Sequence, residues 1–118
     1  VLKPRTQSKE GPRRKEPNLF RAARANDIGE LSEALSAGKR LDEVDFEDGF
    51  TPLHTAAFNG SGDYIRQALR HHSANPWLRD HQGHLAIDHA DARRDYESSK
   101  LLYEAMYPGG AVPLAEPE

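Results

Sequence analysis

Apolar residues recur at helical spacing in short stretches along the chain, and the stretches come in pairs. Asn18 is an N-cap for a first helix over Leu19–Ala25, which Asn26-Asp27 breaks. Asp27 caps the next helix, with Glu30 three residues on in the spacing of a capping box. In that helix Leu31, Ala34 and Leu35 form an i, i+3, i+4 stripe, and Gly38 supplies the stop.

The second pair starts at Thr51-Pro52. Threonine is a good N-cap, and proline suits the first helical position because its missing N–H has no intrahelical partner there. Leu53, Ala56 and Ala57 make the buried stripe before Asn59-Gly60 ends the helix; a partner over about 62–71 carries Ile65, Ala68 and Leu69. In the third pair Ala86, Ile87 and Ala90 line a short helix after Gly83. Asp95 caps its partner, where Leu102, Ala105 and Met106 repeat the stripe before Pro108.

None of these pairs is large enough to bury its own apolar face, so they are expected to stack. The pattern has a period. Gly49 and Gly83 lie 34 residues apart, as do the pairs Ala22-Ala23 and Ala56-Ala57.

Composition agrees with a thin, elongated core: 36% of the 118 residues are hydrophobic and 30% charged, poor material for a compact globule. Pro4, Gly11, Pro12 and a run of charges make residues 1–16 an expected disordered arm. That arm carries six basic groups against Glu10 and Glu16, net +4, which leaves −7 on the rest of the chain. Residues 108–118, with three prolines and two glycines, read as a flexible acidic tail. The expected division is therefore an arm at 1–16, a repeat body at 17–107 (repeats over about 17–45, 46–79 and 80–107) and a tail at 108–118. With no cysteine there is no disulfide framework and no thiolate metal site. No apolar run reaches the length of a membrane span, so a soluble and intracellular protein is expected. Because position 1 is Val, a processed product or a piece of a larger protein is also expected.

From Gly49 to Gly60 the chain resembles the ankyrin repeat, matching that family's pattern at Gly49, Thr51, Pro52, Leu53, His54, Ala56, Ala57 and Gly60. Ala74-Asn75-Pro76 resembles the turn that closes the unit. The flanking copies depart from the pattern as terminal caps do: Leu19-Phe20 stands where Leu-His belongs, and Leu85-Ala86-Ile87-Asp88 replaces Thr-Pro-Leu-His. The resemblance implies an all-α solenoid of about three helix-turn-helix repeats joined by β-turn or hairpin-like loops. It also implies that the His54 imidazole bonds backbone in the neighbouring turn.

Proteins similar to ankyrin repeats generally bind other proteins through turn tips and the exposed side of each first helix. The corresponding positions here are Glu47, Asp48, Phe50, Phe58 and Asn59 in the middle copy, and His81, Gln82, His84 and Arg93 in the third, with Arg24 nearest in the first. Phe50 and Phe58 stand out, since exposed aromatics serve as interface anchors. Trp77, in a connecting turn, is expected to pack between repeats. Three imidazoles, His81, His84 and His89, form a conceivable zinc set. His71 and His72 are expected to point apart, and with neither cysteines nor a His-Glu-x-x-His helix no metal or cofactor is expected.

No nucleophile elbow, phosphate-binding glycine loop or cysteine nucleophile is present, so no enzyme is expected. The leading expectation is a monomeric, non-catalytic protein-binding module. Two alternatives stand beside it: a nucleic-acid or chromatin adaptor that uses Arg13, Arg14 and Lys15, and a regulatory or targeting domain of a larger protein.

Overall fold

A computed structural model describes residues 16–108. These residues form six helices and no strand: α1 Leu19–Ala25, α2 Ile28–Ser36, α3 Pro52–Asn59, α4 Gly62–Ala68, α5 Ala86–Ala92 and α6 Tyr96–Met106. Consecutive helices pair as α1 with α2, α3 with α4 and α5 with α6. The first helices of the pairs lie side by side in one layer, α3 between α1 and α5. The second helices form another layer, α4 between α2 and α6.

Small side chains let the first layer close. Ala22, Ala23, Ala56, Ala57 and Ala90 are all fully buried between neighbouring helices. Leu31, Ala34, Ile65, Ala68 and Leu102 fill the space between layers, so the core is a thin continuous layer made mainly of small and medium residues, with Tyr64 its largest fully buried side chain.

The 34-residue period is visible in the backbone. A left-handed residue follows each first helix, Asn26, Gly60 and Arg94 in turn, with φ of 55°, 72° and 63°. Each is followed by the residue that starts the second helix. Asp27 and Asp95 cap with their side chains. Ser61 instead donates its hydroxyl to the Ala23 carbonyl of the preceding pair. Tyr64 adds a second tie across the same boundary, donating its buried hydroxyl to the Leu19 carbonyl at 2.9 Å. Burial pushes that hydroxyl's pKa well above the ordinary tyrosine value.

Three local expectations need correction. Helix α4 stops at Ala68 rather than near His71, because Arg70 and His71 close with tighter i→i+3 bonds to Gln67 and Ala68. Glu30 turns its carboxylate to the Asn18 N–H and the Arg21 guanidinium rather than completing a capping box at Asp27. Trp77 is 44% exposed rather than interior. Asn75 accepts its N–H at 2.9 Å, and the ring lies edge-on to Tyr107 with centroids 5.5 Å apart.

Candidate functional site

Two hairpin-like loops project from the first layer. In the loop before α3, Asp45 donates its N–H to the Phe50 carbonyl, and Gly49 donates to the Asp45 carbonyl, both at 2.8 Å. The loop before α5 repeats this arrangement: Asp80 donates to the His84 carbonyl and Gly83 to the Asp80 carbonyl, both at 2.9 Å. Short side-chain bonds brace the first tip. Asp45 accepts the Glu47 N–H and Asp48 accepts the Phe50 N–H.

Two bonds couple the loops. His81 donates its N–H to the Asp48 carbonyl at 3.0 Å. The buried His54 ring does the rest. Its Nδ1 accepts the Thr51 N–H at 3.2 Å, so the proton belongs on Nε2, which donates to the His84 carbonyl at 2.9 Å. Burial, the dominant influence, pulls this imidazole below the ordinary histidine value and outweighs the raising effect of that carbonyl. His54 is therefore a neutral strut between two repeats.

Alongside this strut runs a groove of about 250 Å³, lined by Phe20 and Arg24 from α1, Asp45, Asp48 and Phe50 from the loop, and Thr55, Phe58 and Asn59 from α3. Phe58 is 55% exposed. Phe50 is half-buried, stacked on His54 at 5.5 Å and edge-on to Phe58 at 6.0 Å. The groove thus combines an aromatic floor with two carboxylates and one guanidinium.

Of the residues expected to face a partner, Asp48, Phe50, Phe58 and Asn59 come together here, and Glu47 stands exposed at the same loop tip. His81, Gln82, His84 and Arg93 are exposed but do not line this groove. Arg93 donates to the Phe58 carbonyl at 3.1 Å, tying the end of α5 to that of α3. Phe20, Asp45 and Thr55 were missed, as was Phe46, which is 81% exposed on the loop tip. A lone Phe flanked by acidic residues was the signal available for Phe46.

A family model described as ankyrin repeats in many copies matches residues 19–66, from the start of α1 into α4. Over these residues the chain carries ankyrin repeats. The Thr51 cap, Pro52 start and His54 strut are where that repeat pattern places them, and the third copy keeps half of the strut: Asp88, 34 residues after His54, accepts the Leu85 N–H at 2.9 Å. Ankyrin repeats generally mediate protein–protein interaction, and their fold is typically non-catalytic. The chain is also 28% identical over 103 residues to the mitochondrial liver-isoform glutaminase of Rattus norvegicus, covering 87% of this chain and 17% of that protein. Against the same isoform from Mus musculus it is 26% identical over 124 residues, covering 98% of this chain and 20% of that protein. The chain spans about a fifth of the length of these curated relatives.

The histidines are arranged differently from the sequence expectation. His81 stands apart from the potential ligand group, and Asp80 takes its place beside His84 and His89. Asp80 is buried: burial would raise its pKa, but hydrogen bonds from His89, the His84 N–H and the Gln82 N–H outweigh this and hold it at about 2. His71 and His72 do not point apart; their rings stack with centroids 4.3 Å apart. The Ser73 hydroxyl and N–H both reach His71 Nδ1 and hold the first ring in place. Arg13, Arg14 and Lys15 lie outside the described residues. No described helix is long and apolar enough to cross a membrane.

Proposed function

We propose that this chain is a non-catalytic, monomeric protein-binding module that presents the groove beside α3 to a partner protein. Residues 17–107 act as the repeat body, with 17–45 and 80–107 as caps. Phe50 and Phe58 anchor the partner. Glu47, Asp48 and Asn59 fix its polar groups, and His81, Gln82, His84 and Arg93 extend the surface along the next loop. The observation that carries this reading is Phe58, which stands 55% exposed at a groove whose walls are braced before any partner arrives. Bracing matters because a pre-ordered surface loses little entropy on docking.

The acidic rim of Asp45, Glu47 and Asp48 favours a partner segment with an apolar side chain flanked by basic groups. Affinity capture from the native source tests the reading. Wild type should enrich a polypeptide that Phe58→Ala loses, while Tyr103→Ala, at an exposed aromatic on α6, retains it. Loss with both variants, or with neither, removes the groove from the account.

A second reading rests on coverage. Because the matched glutaminases are several times longer than this chain, we also propose that it is the repeat segment of a larger polypeptide, whose activity lies elsewhere. Sequencing the intact transcript on both sides of the 118 residues decides this.

A further inference from the structure

The third-repeat loop holds a group of side chains that the binding groove does not use. Asp80 has a side chain only 1% exposed. Its Oδ1 accepts the N–H groups of Gln82 and His84, both at 2.9 Å. Those two bonds fix the carboxylate plane and leave Oδ2 facing α5, where His89 Nε2 lies 2.8 Å away. His84 stands on the returning arm of the loop, its ring edge-on to His89 with centroids 5.5 Å apart. One potential ligand atom from each of the three residues lies within 4.8 Å of the others.

We propose that Asp80, His84 and His89 form a binding site for a first-row transition-metal dication of the zinc type. Two imidazoles and one carboxylate suit zinc, cobalt, nickel or copper, whereas magnesium and calcium favour all-oxygen shells. Donor atoms at about 2.0–2.1 Å from a tetrahedral metal lie about 3.3 Å apart. The His89–Asp80 pair therefore needs to widen only by about half an ångström as the metal replaces the proton between them. His84 must turn its ring inward, and little opposes that motion. Its backbone is held at both ends, the N–H on Asp80 and the carbonyl on His54, while its side chain is exposed to solvent.

The surroundings supply what a metal site needs beyond its ligands. The Gln82 and His84 N–H groups orient the ligating carboxylate through its other oxygen. Phe50, 5.0 Å from the His89 ring, and the buried His54 ring wall off one side. Water completes the shell on the solvent side, where His84 is exposed. A bound ion would lock the third loop onto α5, next to the ring that forms the floor of the groove.

Isothermal titration of the untagged 118-residue chain with zinc chloride, alongside visible absorption with cobalt(II), tests the assignment. One equivalent should bind, and cobalt should show the absorption of a low-coordinate nitrogen–oxygen site. His84→Ala should weaken binding at least about tenfold, and His81→Ala should change it less than about twofold. His84→Ala removes no side-chain hydrogen bond seen in the structure, and an unchanged thermal melt of the metal-free variant confirms that it still folds. Replacing His71 and His72 together by Ala controls for the stacked pair on the other loop. The proposal is overturned if zinc at about millimolar concentration gives neither heat nor a thermal shift. It is equally overturned if binding survives His84→Ala, or is lost in the His71/His72 double variant.

Discussion

Replacing His54 by Ala tests how the repeats are held together. The substitution leaves the Thr51 N–H, in a residue 1% exposed, without its acceptor. An unsatisfied buried donor costs about 1–3 kcal/mol. Losing the bond to the His84 carbonyl costs about 1 kcal/mol more; the cost is modest because that oxygen keeps the Asp80 N–H. Removing a fully buried ring packed against Phe50 and His89 adds about 1–2 kcal/mol. The expected loss is therefore about 4 kcal/mol, or a fall in Tm of at least about 15 °C for a body of this size.

His54→Asn separates the two halves of the strut. A short amide oxygen can still accept the Thr51 N–H, as the Asp88 carboxylate accepts the Leu85 N–H in the third repeat, but it cannot reach the next loop. Asn should cost about half as much as Ala. Chemical denaturation, followed by circular dichroism, measures both. Variants within about 0.5 kcal/mol of each other, or of wild type, would show that the strut does not carry the load assigned to it.

The same pair of proteins gives a pH test. The folded His54 pKa lies below the ordinary 6.5, so the unfolded chain binds more protons around pH 6. This contribution to stability is complete above the unfolded value and declines as pH falls through 6.5 toward the folded value. The stability gap between wild type and His54→Asn should narrow over that window. A constant gap between about pH 7.5 and 5 would contradict a neutral, titrating strut.

Glycine substitutions probe the stacking from another side. A Cβ on Gly49, φ 75°, would meet the His81 backbone nitrogen at 2.6 Å, whereas one on Gly83, φ 83°, would meet nothing within 4 Å. Gly49→Ala should cost about 2–5 kcal/mol and Gly83→Ala only about 1–2 kcal/mol by equilibrium unfolding; equal costs would deny the close approach of the loops. Arg94 holds a left-handed φ of 63° where the two earlier repeats use Asn26 and Gly60. Arg94→Gly should raise stability by about 0.5–1 kcal/mol, the relieved strain less the added chain entropy, and a loss would mean the side chain stabilises the end of α5. Asp80, held at about 2 from an ordinary 3.8, contributes stability that is present above pH 3.8 and lost as pH falls toward 2. Acid unfolding of Asp80→Asn should lack that component.

Features set by neighbouring residues were legible in the sequence, and features set by stacking were not. The caps at Asn18, Thr51 and Asp95, the Pro52 start and the 34-residue period rest on local chemistry, and each is present in the structure. Phe20 and Thr55 became groove residues only because α1 and α3 lie side by side, a relation that no single stretch records. Asp80 carries no signal of its own in the sequence; only the folded loop brings it onto α5 against His89. His81, the more obvious candidate beside two other histidines, is drawn the other way. Its N–H is held by the Asp48 carbonyl, and its ring lies over Gly49. Trp77 misled for a related reason: its size argued for the interior, but the Asn75 turn places it on the surface against Tyr107.

Photo-crosslinking from position 58 tests the claimed binding face most directly. A photoreactive phenylalanine analogue replaces Phe58 in one protein and Tyr103 in another, and each is irradiated with the captured partner. The account predicts a covalent adduct from position 58, with the partner mapped to a segment bearing an apolar residue flanked by basic ones, and none from position 103. Adducts from 103 and none from 58 would contradict it.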